Sequence, residues 1–229
     1  MEKITIKELI EFRGRPSGKL KNNYAFKLKS RKPKEKLEDA KDSGGNYWAI
    51  STSSIYNSFK SGKDEYYDLK IEDVLSRMAN TESQKDKVMY QRNLDILNNF
   101  KEFDLHHLRP LDITNFESIH KEQKIISINS LPIYINPSLV FCFERNGKRE
   151  IGAIAFIPQL EGFQKSQLGM FCEMLYKFLH KHYSSEYQIA EDFCIAIDTY
   201  NAQSIIYVEL KTGKIPRLVE ATIEEIKSS

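Results

Sequence analysis

The chain predicts an α/β protein, a mixed β-sheet flanked by helices with a mainly helical N-terminal elaboration. Three observations carry this. Residues 138–144 and 150–158 are apolar, strand-like runs joined by Arg145-Asn-Gly-Lys148, and Asn-Gly is a strong hairpin signal. Residues 164–182 follow with Leu168, Phe171, Leu175 and Phe178/Leu179 on one helical face. Two more strand-like runs, 193–199 and 204–210, come after it. Strands interleaved with helices in this order predict a sheet covered by helices.

Taken in order, residues 4–12 predict a short helix with Thr5 as its cap. A basic arm spans 13–36, with a strand expected at 24–28. Ser43-Gly-Gly-Asn46 predicts a turn, 47–51 a buried stretch and 53–59 a short helix. Residues 71–79 and 83–103 predict two more helices. In the second, Tyr90, Leu94 and Leu97 recur at helical spacing, and Ile96, Phe100 and Phe103 widen the stripe. Asp112 is a good cap for a helix running to about 123. Residues 124–130 and 132–136 have strand character, and 220–227 predicts a closing helix. The organisation expected is an elaboration over 1–103 and a core over 104–229.

Composition bounds the function. The chain has 229 residues, 41% of them hydrophobic, enough for a core. It has no long uncharged apolar run, and Met1-Glu-Lys-Ile-Thr lacks the layout of a signal peptide, so no membrane partner is expected. Cys142, Cys172 and Cys194 are scattered, which fits reduced, buried thiols in the cytoplasm better than a disulfide framework or zinc site. His106-His107 and the pair His180 and His182 fit surface and helix-end roles better than a metal site. Gly-rich phosphate or dinucleotide loops, Gly-x-Ser-x-Gly and His-Glu-x-x-His are all missing, which argues against ATPases, dinucleotide enzymes, serine hydrolases and zinc proteases.

The formal net charge is only +2, but its distribution is uneven. Between residues 13 and 36 there are ten cations (Arg13, Arg15, Lys19, Lys21, Lys27, Lys29, Arg31, Lys32, Lys34 and Lys36) against one acid, Glu35. Tyr24 and Phe26 interrupt the run. Such a segment is suited to a phosphate backbone and to stacking on bases, or is a solvated tail.

Asn136-Pro137-Ser138-Leu139-Val140-Phe141, Ile151-Gly152-Ala153-Ile154-Ala155-Phe156 and Gln167-Leu168-Gly169-Met170-Phe171 share a further pattern. Over 112–210 the chain resembles the PD-(D/E)XK nuclease superfamily, most closely its RecB-like branch. The resemblance implies a restriction-endonuclease-like αβββαβ core. It implies an acid after Pro137, where Ser138 stands. It implies an acid and a lysine on the next strand, where Ala153 and Ala155 stand. His120 or Glu122 would match the acid or histidine of the preceding helix, and Gln167 the Gln-Leu-x-x-Tyr helix motif, with Phe171 for Tyr. In such proteins the acids hold Mg²⁺ or Mn²⁺ and the lysine positions or activates the attacking water.

With Ser and two Ala at these places the expectation is a protein without catalysis, metal or cofactor. It would bind DNA or RNA, or scaffold a protein partner in a bacterial mobile-element or defence assembly. One alternative is an active Mg- or Mn-dependent nuclease with a relocated carboxylate, for which Glu150 is the candidate beside Glu144 and Glu161, or an engineered inactive form of such an enzyme. Another is a protein-interaction subunit that binds no nucleic acid.

Overall fold

The computed structural model describes residues 2–32 and 47–229. The N-terminal segment holds β1 (Ile4–Thr5), α1 (Ile6–Gly14), α2 (Lys19–Ser30), α3 (Ala49–Ser61), α4 (Glu65–Ala79) and α5 (Gln84–Glu102). Then come β2 (Ile113–Phe116), β3 (Ile125–Ile128), β4 (Leu131–Tyr134), β5 (Leu139–Arg145), β6 (Lys148–Ile157) and α6 (Lys165–Tyr183). The chain closes with β7 (Gln188–Asp198), β8 (Gln203–Ile206), α7 (Tyr207–Lys211) and α8 (Val219–Ser228). The α/β class is as the sequence predicts.

The main sheet has five strands in the order β2-β5-β6-β7-β8. β5 and β6 form an antiparallel hairpin, with Val140 opposite Ala153. Its turn, Asn146-Gly147, has φ of 54° and 72°, the left-handed geometry that a tight hairpin turn requires. β6 and β7 are parallel and α6 makes the crossover. β3 and β4 form a second hairpin, which β1 joins in parallel to make a three-stranded sheet.

Alternation along β5 and β6 divides the core. Val140, Cys142, Ala153 and Ala155 face a layer built from α6, α8, α1 and α2. Leu139, Phe141, Ile154 and Phe156 face a second layer that takes Ile55 and Phe59 from α3 and Ile96, Leu97 and Phe100 from α5. Residues of 1–103 therefore enter both layers. The three cysteines are free and buried.

Four expectations are corrected. The helix expected over 112–123 is instead strand β2 followed by a 3-10 turn, Lys121–Lys124. Ile113 and Thr114 are β-branched, and β5 offers them a pairing edge, so tertiary pairing wins over the cap at Asp112. The strand expected at 24–28 is part of helix α2, which has no β-branched residue and buries Ala25 and Leu28 at i, i+3. Residues 13–14 and 19–30 of the basic segment are thus helical. β7 starts before the predicted strand and β8 ends earlier, because Tyr207–Lys211 turns into a helix. The stretch 47–51 buries only Ser51. The turn at Ser43–Asn46, Lys34 and Lys36 lie outside the described residues.

Candidate functional site at the sheet end

The hairpin brings Ser138 beside the strand that carries Ala153 and Ala155. Ser138 immediately precedes β5. Its N–H donates to Ile154 O at 2.8 Å, and its Oγ accepts from Phe156 N–H at 2.9 Å. The hydroxyl thus finishes the ladder where the hairpin opens, level with Ala155. Ala153 and Ala155 are buried beneath α6. Gln167 lies in the first turn of α6, where its Oε1 accepts from Gln164 N–H in a capping arrangement. His120 and Glu122 are exposed. They lie at and within the 3-10 turn rather than on a helix, and His120 N–H donates to Gln123 Oε1.

Two hollows open at this end of the sheet. The larger, about 670 Å³, lies between α3 and the strand ends. Thr52, Ser53, Tyr56 and Asn57 line it from α3, with Lys124 and Ser138 opposite. The smaller, about 240 Å³, takes Thr5, Lys7, Tyr134, Ala155 and Phe171. The two share Asn136, Phe156 and Pro158. Lys124 Nζ donates to Asn136 Oδ1 at 2.6 Å. Lys7 Nζ donates to Pro158 O at 3.0 Å and Gln159 Oε1 at 3.2 Å, and burial pulls its pKa below the ordinary lysine value. Among the described residues, none that lines either hollow is an Asp or Glu. Among the described residues, no three or more His, Cys, Asp or Glu side chains converge to hold a metal. The lining offers hydroxyls, amides and ammonium groups, which favour anions over hard cations.

Glu150 stands elsewhere. It pairs with Phe143, five residues along β6 from Ala155, or roughly 17 Å at strand rise. Its carboxylate accepts from Arg145 at 2.6 Å, and Arg145 also bridges to Asp192. Arg145 further lies over the Phe143 and Phe193 rings, at 5.6 and 5.5 Å. Glu150 is brought near neither Ser138 nor Ala153.

Asp198 is the buried acid at this end that sequence reasoning missed. It closes β7 and is fully buried. Oδ2 accepts from Phe163 N–H at 2.9 Å and Asn201 Nδ2 at 3.1 Å, while Oδ1 accepts from Tyr200 N–H at 3.0 Å and Asn201 N–H at 3.4 Å. These donors satisfy the carboxylate and tie the loop after β6 to the turn after β7. The only sequence signal is an Asx-turn pattern, Asp198-Thr-Tyr-Asn201.

The basic segment sorts its charges. Arg15 pairs with Glu11, Lys21 with Glu225 and Arg31 with Glu8. Arg13 donates to Thr222 Oγ1 and Lys29 to Lys227 O. Lys19, Lys27 and Lys32 are exposed. Tyr24 is also engaged: it donates to Glu11, and Arg15 lies 4.1 Å over its ring.

No protein-family model, no curated protein and no solved structure matches the chain. No helix among the described residues is long and apolar enough to cross a membrane.

Proposed function

We propose that the chain is a non-catalytic nucleic-acid-binding protein built on a PD-(D/E)XK-like αβββαβ core. The helix that the resemblance implies after Asp112 is absent, but the run β5-β6-α6-β7, an antiparallel hairpin, a crossover helix and a strand parallel to β6, supports this reading, with α5, β2 and the β3–β4 hairpin before it. The observation that carries the function is the sheet end itself. Where such a core would hold a metal between acids, this chain has Ser138, two buried alanines and hollows lined by Lys7, Lys124, amides and hydroxyls, with no carboxylate among the described residues that line them. That lining can receive a phosphate oxygen but cannot offset the dehydration of Mg²⁺.

Calorimetric titration with Mn²⁺ tests the non-catalytic half. The expected result is no stoichiometric site. A micromolar site weakened by Glu150→Ala or Asp198→Asn would revive the relocated-carboxylate nuclease. Binding to a labelled oligonucleotide in low salt tests the other half. The expected affinity falls as salt rises, and no binding at any salt would put the protein-interaction reading ahead.

A further inference from the structure

We propose that the outward face of α2 is a stacking platform for single-stranded nucleic acid, with a base lying on the Phe26 ring. This rests on the nucleic-acid reading above, and it places contact on α2 rather than in the sheet-end hollows. Phe26 is 67% exposed, and it is the only exposed phenylalanine among the described residues. Its helix neighbours on the same face are Lys19, Asn22, Asn23, Lys29 and Ser30, at offsets of seven, four and three before it and three and four after it. Lys27 flanks that face.

The charges around it point to a polyanion. α2 has no acidic residue in its twelve positions. Lys21 pairs with Glu225 and Arg31 with Glu8, which fixes the helix against α8 and α1, while Arg15 pairs with Glu11 at the end of α1. Lys19 and Lys27 stay exposed and make no ion pair among the described residues. An exposed aromatic ring among unpaired lysines and amides offers a π-face for a base, with donors for the flanking phosphates. A ring on a convex helix reaches a base face only if the base is unstacked. A duplex hides those faces, so the ligand is a single strand.

The test is fluorescence anisotropy of labelled oligothymidylate and of a duplex of equal length, with the full chain in low salt. Phe26→Ala should weaken single-strand binding by roughly 5- to 100-fold and leave the salt slope unchanged. Phe26→Leu should not rescue it, since leucine keeps apolar area but has no π-face. Lys19→Gln/Lys27→Gln should flatten the log–log salt slope by about 1.4. Because the ring is exposed, the melting temperature of Phe26→Ala should match the parent's. If Phe26→Ala binds as tightly as the parent while Lys124→Gln loses affinity, the platform is refuted and the sheet-end reading stands. If the parent binds only the duplex, the platform is likewise refuted. If the parent binds neither, both fall.

Discussion

Ala153 has no room for the acid that the resemblance would put there. It is fully buried beneath α6, among residues such as Val140 and Leu168. Ala153→Glu should therefore destabilise the fold by about 2–4 kcal/mol, by burying a carboxylate without donors, and should create no metal affinity. Urea denaturation reads the first effect and Mn²⁺ calorimetry the second. At the far end of the hairpin, Arg145 covers Glu150, whose side chain is only 5% exposed. Arg145→Met should cost about 2–3 kcal/mol, and adding Glu150→Gln should recover part of it, because the orphaned charge is what costs most. Asp192 adds a pH signature. The Arg145 guanidinium holds its pKa below the ordinary carboxylate value, against an opposing push from burial. A folded pKa below the unfolded one gives stability that is full above the unfolded value and is lost as pH falls below about 4. Arg145→Met should flatten that acid limb in a melting series. The strand positions of Ala153 and Ala155 were legible in the sequence because the hairpin turn fixes them. His120 and Glu122 instead lie at and within a 3-10 turn, not on the helix expected there. Asp198 was not legible, because its role depends on Phe163 N–H, which only the fold brings to it.

At the scale of elements, the β5–β6 hairpin and α6 were legible because their signals are local. Asn146-Gly147 states its own turn, and the stripe from Leu168 to Leu179 has the helical period. Gly147→Ala, at φ 72°, should cost about 1 kcal/mol. Gly152→Ala should cost more, about 2–3 kcal/mol, because a Cβ there would stand 2.7 Å from the Phe141 ring and 2.8 Å from Phe193 O. Thermal unfolding of the two variants side by side checks that order. The β3–β4 turn carries a weaker signal: Ser130 sits at φ 67° in Asn129-Ser130. Ser130→Gly should stabilise by roughly 0.5–1 kcal/mol, since glycine adopts that backbone without strain. β2 and α2 were misread for a common reason. Their identities are decided by what they pack against, the β5 edge for one and α1 and α8 for the other.

For the whole molecule, the two core layers share one sheet, and the N-terminal segment supplies both. β1 pairs with β4, α1 and α2 pack against α8, and α3 and α5 cover the opposite face. Deleting residues 1–31 would uncover Ile133, Ile223 and Ile226, all fully buried. It should lower the melting temperature by roughly 10 °C or more by circular dichroism. The same interleaving sets the functional surface, because α3 forms one wall of the larger sheet-end hollow and Lys7 of α1 reaches the smaller. The most direct test is incubation of the full chain with labelled single-stranded and duplex oligonucleotides and Mn²⁺ in low salt. Anisotropy reads binding, and a denaturing gel of the same samples reads scission. Salt-sensitive binding with every strand intact is the predicted result. Metal-dependent scission that disappears on chelation would contradict it, as would the absence of any binding.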